Sequence, residues 1–165
     1  MKQELTTDTV ERYIEASPDA LYDFIADVTR TPELTPDVVR ITWLDGATEP
    51  KVGARFKARN SVGYGPKWNN YSVFVTVEPG REIAWQRIEM AGGVVEWRWK
   101  FAAEGAGTRV TESYLVTKPV PLFGWFIIGT VFRRKDRRAD LRKSMEASLT
   151  RLAELVGAPA SAGLD

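Results

Sequence analysis

Large aromatics and polar side chains recur two residues apart along one stretch of the sequence: Asn70, Ser72 and Phe74; Trp85 and Arg87; Trp97 and Trp99; Glu112 and Tyr114. On a β-strand that spacing puts them on one face. Histidine and cysteine are both absent, so acid–base chemistry falls to Asp, Glu, Tyr, Lys or bound water. A Ser-His-Asp or Cys-His nucleophilic site cannot be built in one chain, and neither can a zinc site of His or Cys ligands. No acidic cluster has calcium-loop spacing, so no metal and no cofactor is expected. Arg87, Glu112 and Tyr114 are left as the candidate catalytic groups.

The elements that would position these residues follow from patterning. A strand is expected over Asp8 to Ala16, ending at a helix start. Ser17 is a good N-cap, Pro18 fits the first helical position, and Asp19 suits the positive helix end. Leu21, Phe24, Ile25 and Val28 recur at helical spacing, and a second short helix is expected around Pro32 to Leu34 before Pro36. Six strands then follow: 38–44, 53–62, 67–78, 81–90, 94–103 and 108–117. Asp45-Gly46, Gly63 to Pro66, Pro79-Gly80, Gly92-Gly93 and Glu104 to Gly107 punctuate them. Connections this short imply an antiparallel meander. From Arg133 to Val156 the chain reads as one long helix, with Leu141, Met145, Leu149, Leu152 and Val156 as its apolar stripe, Gly157 as C-cap and Pro159 beyond. The fold class is α+β: a seven-stranded curved antiparallel sheet wrapped around a long C-terminal helix, with two short helices after strand 1. Residues 1–157 form one domain, and 158–165 read as a frayed tail.

The turns set the registers. Centring one on Gly92 puts Trp85 opposite Trp99 and Arg87 opposite Trp97. Phe74 falls near Trp85 and Ser72 near Arg87. Asn60, Ala58 and Phe56 fall near Trp68, Asn70 and Ser72, while Glu112 and Tyr114 lie beside Trp99 and Trp97. The collected face is Phe56, Ala58, Asn60, Trp68, Asn70, Ser72, Phe74, Trp85, Arg87, Trp97, Trp99, Glu112 and Tyr114. Apolar walls with a few placed polar groups are the make-up of a small-molecule pocket; the alternative is a plain tryptophan core. Arg87 and Glu112 either neutralise one another, orient a ligand's carboxylate or hydroxyl, or sit at a wet rim.

Several motifs together resemble one family. IEASPDALYDFIADV at 14–28 is similar to the strand-to-helix entry of the START-related superfamily called SRPBCC, which includes polyketide cyclases, lipid-transfer domains and pollen-allergen-type proteins. VG at 52–53, VEPGREIAW at 77–85, WRWKF at 97–101, GTRVT at 107–111 and the closing RLAELVG also match. The similarity covers about residues 8–157. It implies a helix-grip fold with a cavity between sheet and last helix, serving either a carrier of an apolar ligand (lipid-like, polyketide-like or aromatic) or a cyclase, aromatase or dehydratase. In the cyclase branch, pocket polar groups orient a poly-ketone chain, a role that Arg87, Glu112 or Tyr114 would take here.

The 165-residue chain is 44% hydrophobic and 27% charged, with 23 basic and 22 acidic side chains for a net charge of +1. That balance gives no reason to expect a nucleic-acid partner. The absence of cysteine suits a cytoplasmic, reducing setting, and the N-terminal sequence lacks the apolar stretch of a secretory signal. The longest apolar run, Pro119 to Phe132, has 14 residues, short of the about 20 needed to span a bilayer. It precedes Arg133, Arg134, Lys135, Arg137 and Arg138. Four readings stay open: a lid whose Phe123 and Phe126 reach the ligand, a buried turn, a homodimer contact, or a membrane-facing segment.

Overall fold

A computed structural model describes residues 7–88, 93–130 and 136–157. Strand β1 (Thr7–Ile14) leads into α1 (Pro18–Ala26), a single 3₁₀ turn (Val28–Arg30) and the four-residue α2 (Thr31–Leu34). Ser17 caps α1, its hydroxyl accepting from the Ala20 amide at 3.1 Å. The meander follows as β2 (Val38–Trp43), β3 (Arg55–Asn60), β4 (Trp68–Glu78), β5 (Glu82–Ile88), β6 (Val94–Glu104) and β7 (Gly107–Lys118). Helices α3 (Leu122–Thr130) and α4 (Arg137–Val156) complete the chain.

All seven strands form one curved antiparallel sheet in the order β1-β7-β6-β5-β4-β3-β2. The meander is therefore closed at one side by the first strand pairing with the last. Helix α4 lies on the inner face, where Leu141, Met145, Leu149 and Leu152 bury their side chains in the same cluster as Phe101, Trp99 and Val110. The β4–β5 turn is held close to α1: Gly80 has φ +74°, and a Cβ there would run into the Asp19 carboxylate. Only glycine meets both demands.

Four expectations need correction. The β5–β6 ladder pairs Trp85 with Trp97 and Arg87 with Val95, and its last pair is Ile88 with Val94. It is thus centred one position before Gly92, which slides each partner by two residues. Because side chains alternate with period two, this shift changes neighbours and leaves every residue on its expected face. The other predicted ladders stand as expected: Phe56 with Ser72, Ala58 with Asn70, Asn60 with Trp68, Ser72 with Arg87, Phe74 with Trp85, and Trp97 and Trp99 with Tyr114 and Glu112.

The long helix starts later than expected, at Arg137. The Asp136 carboxylate accepts from the Ala139 amide at 3.0 Å and caps it there; residues 131–135 lie outside the described residues. Gly157 does end α4, but with φ −57° rather than a left-handed turn. The buried-turn reading of the apolar run fails at its described side chains: Leu122–Thr130 form α3, with Leu122, Phe123 and Phe126 exposed. The tail 158–165 and the β5–β6 connection 89–92 also lie outside the described residues.

Candidate functional site

A cavity of about 220 Å³ opens between the concave face of the sheet and α4. It exists because the inner wall is built from rings and short polar side chains that α4 does not fill. β3 contributes Phe56, Ala58 and Asn60; β4 contributes Trp68, Asn70 and Ser72; β5 Trp85 and Arg87; β6 Trp97 and Trp99; β7 Glu112. These were legible as one face from parity alone.

Four residues of the predicted set do not line it. Phe74 is 1% exposed and packs into an aromatic cluster, its ring centre 5.3 Å from Phe56, 5.9 Å from Trp85 and 6.0 Å from Trp43. Tyr114 is equally buried, with its ring 5.6 Å from that of Trp97. Both lie at the inward-facing positions expected, but they are buried among neighbouring rings and do not line the space. Phe123 and Phe126 point away from it on α3, 74% and 65% exposed, so they are not a lid in this conformation.

The helical wall escaped a reading that collected strand residues only. Phe24 and Ile25 of α1, Leu34 of α2 and Leu141 of α4 supply apolar surface. Asp140, Ser144 and Ser148 of α4 supply polar surface. Their spacing of four places them in one line along α4 beside the apolar stripe, and that interval was the available signal. Ser148 is buried, and its hydroxyl lies 3.5 Å from that of Thr35, just past α2.

The polar atoms of the sheet wall differ in how they are satisfied. Asn60 donates to its neighbour's carbonyl, Ala58 O, at 3.1 Å. The Arg87 guanidinium sits over the Trp97 ring, 5.0 Å from its centre. Among the described residues, Glu112 Oε2, Ser72 Oγ and Trp97 Nε1 are buried with no hydrogen-bond partner. A buried polar atom without a partner costs about 1–3 kcal/mol, so each is a place where a bound molecule would be rewarded. On the outer face, by contrast, Arg98 is paired with both Glu82 and Glu96.

Glu112 is the most perturbed of these groups. It is 5% exposed, which rules out the wet rim, and burial pushes its carboxyl well above the usual carboxylate range. No neighbouring cation offsets that push, so of the open readings the neutralising pair with Arg87 does not form. Burial favours its protonated form, which can donate as well as accept. No group of three or more His, Cys, Asp or Glu able to hold a metal occurs among the described residues. No helix there is long and apolar enough to cross a membrane.

A family model described as polyketide cyclase / dehydrase and lipid transport matches residues 6–157. The chain belongs to this family. Membership in the polyketide cyclase / dehydrase and lipid transport family agrees with the SRPBCC resemblance of the sequence motifs. No curated protein matches the chain. Among solved structures it is similar to the di-domain ARO/CYC StfQ of the steffimycin biosynthetic pathway, with a TM-score of 0.72 and 20% identity over 92% of this chain and 50% of that one. It is also similar to protein CV1439 from Chromobacterium violaceum (TM-score 0.69, 17% identity, 92% and 98% covered). Major latex-like protein 151 from Panax ginseng follows (TM-score 0.67, 13% identity, 91% and 96% covered). Identities this low speak for the helix-grip fold alone. The chain spans about half the length of the di-domain StfQ.

Proposed function

We propose that this member of the family binds an apolar small molecule, lipid-like, polyketide-like or aromatic, in the cavity between the sheet and α4. The observation that carries the reading is the cavity's make-up: Phe56, Trp85, Trp97 and Trp99 around a space of about 220 Å³, with the partnerless Glu112, Ser72 and Trp97 polar atoms buried in its wall. Apolar walls supply affinity, and the few polar atoms fix orientation. A cytoplasmic setting fits a chain without cysteine.

The test is native mass spectrometry of the purified chain, with thermal unfolding across fatty acids, polycyclic aromatics and aromatic ketones. A ligand at a hundredfold excess over its Kd stabilises by about 2.7 kcal/mol, or roughly 5–10 °C for a chain of this size. No shift from any compound, with no bound mass, rejects the reading.

A second reading, cyclase or dehydratase chemistry, is favoured by one observation, the buried, partnerless Glu112 carboxyl, whose protonated form burial favours. There it would pass its proton to a substrate carbonyl oxygen that Arg87 polarises, a general-acid contribution of about 10²–10⁴-fold. Tyr114 lies behind the wall and takes no part. Turnover of a poly-ketone that survives Glu112→Gln unchanged removes this mechanism.

A further inference from the structure

Helix α3 has the sequence LFGWFIIGT, without a charged residue. Leu122, Phe123 and Phe126 are 73%, 74% and 65% exposed. At about 100° per residue these three positions fall within roughly 100° of arc, whereas Gly124, which is buried, falls on the opposite side. The three exposed side chains on that arc are all apolar, where a helix resting on a core turns polar residues to solvent.

Two further facts bear on what covers this face. Val120, two residues before α3, lines the cavity, and it fits against Gly93, where a Cβ would meet its Cγ2 at 2.8 Å. The patch thus follows in the chain two residues after a side chain that lines the cavity. Cations also bracket it: Lys118 before and Arg138 after are both exposed, and in the sequence Arg133, Arg134, Lys135 and Arg137 stand between, against one acid, Asp136.

We infer that α3 docks on an anionic lipid surface, its phenyl rings entering the headgroup region and the flanking cations meeting the lipid charge. Cations near such a surface are drawn to its negative potential, and exposed aromatic and aliphatic side chains supply the apolar part. Nine residues rise about 14 Å, under half of the roughly 30 Å hydrocarbon core, so the helix lies in the interface and does not cross. A second copy of the chain is the poorer occupant, because a two-fold contact through this patch sets the same cations against themselves. The docking stands independently of what the cavity holds.

The experiment is co-sedimentation with vesicles of phosphatidylcholine alone and of phosphatidylcholine with phosphatidylserine, for the wild-type chain and the Phe123→Ser/Phe126→Ser variant. Both substituted side chains are exposed, so the variant keeps its unfolding temperature and its thermal response to a cavity ligand in vesicle-free buffer. If the double variant fails to fold, Phe123→Ser alone takes its place. The expected result is binding to the phosphatidylserine vesicles, weakened by salt, and reduced about tenfold or more in the variant. Binding to neither vesicle, equal binding to both, or a variant that binds like the wild type overturns the inference. A dimer in sedimentation equilibrium that the variant dissolves, without vesicle binding, gives the patch to a second copy instead.

Discussion

The guanidinium carbon of Arg87 lies 5.0 Å from the centre of the Trp97 ring. Arg87 on β5 and Trp97 on β6 are not directly paired; Trp97 pairs with Trp85, and Arg87 with Val95. The contact is therefore diagonal, within reach of a side chain this long. It holds a cation at the cavity wall against an aromatic face, an arrangement worth about 0.5–2 kcal/mol depending on desolvation. The charge lies at the cavity wall and is not paired with Glu112.

Arg87→Leu should consequently separate ligands by their oxygens. A ligand with a carbonyl or phenolic acceptor is expected to lose about tenfold in affinity, near 1.4 kcal/mol, while a pure hydrocarbon of the same shape binds as before. Calorimetric titration of a ketone and its hydrocarbon analogue measures the split. An equal loss for both would mean that Arg87 acts through packing alone.

Glu112 gives the chain a characteristic pH response. Its carboxyl in the fold stays protonated well above the ordinary value of 4.5 because of burial. Between that value and the folded one, the unfolded chain binds fewer protons than the folded chain, so stability falls as pH rises, by at most about 1.4 kcal/mol per unit for this one group. The stabilisation is fully present below the unfolded value and lost as pH rises through the folded one. Glu104 and Glu33, held low by Arg109 and Arg30, act oppositely and at lower pH. Glu112→Gln should flatten the fall at the alkaline side and leave the acid side alone. Urea unfolding of both chains between pH 4 and pH 9 tests this, and parallel curves would refute it.

The sheet wall of the site was legible because strand parity survives errors of register. The β5–β6 ladder slipped by two and Trp85, Arg87, Trp97 and Trp99 still fell on the inner face. Parity, however, says which way a side chain points and nothing about depth. Phe74 and Tyr114 point inward like Trp85 and Trp97, yet they end in packed clusters. Depth depends on how three layers stack, which is information no single strand holds. The same limit hid Asp140, Ser144 and Ser148, because polar residues on a helix beside its apolar stripe read as its solvent edge until the space next to them is known. Helix α3 was ambiguous for a different reason. Its residues are apolar on every side, so no periodic contrast marks an inward face.

That distinction between inward and cavity-lining predicts opposite outcomes for two substitutions. Phe74 is 1% exposed and fixed by three aromatic neighbours. Phe74→Ala leaves a hole among rings that cannot collapse, which costs about 3–5 kcal/mol and lowers the unfolding temperature whether or not a ligand is present. Val116 pairs with Val95 and lines the open space. Val116→Trp adds bulk beside the open space, so the fold loses about 1–3 kcal/mol at most while ligand-induced stabilisation disappears. Thermal unfolding of both variants with and without a bound aromatic measures the contrast. If Val116→Trp unfolds the chain as Phe74→Ala does, the space beside β7 is core and the cavity must be drawn smaller.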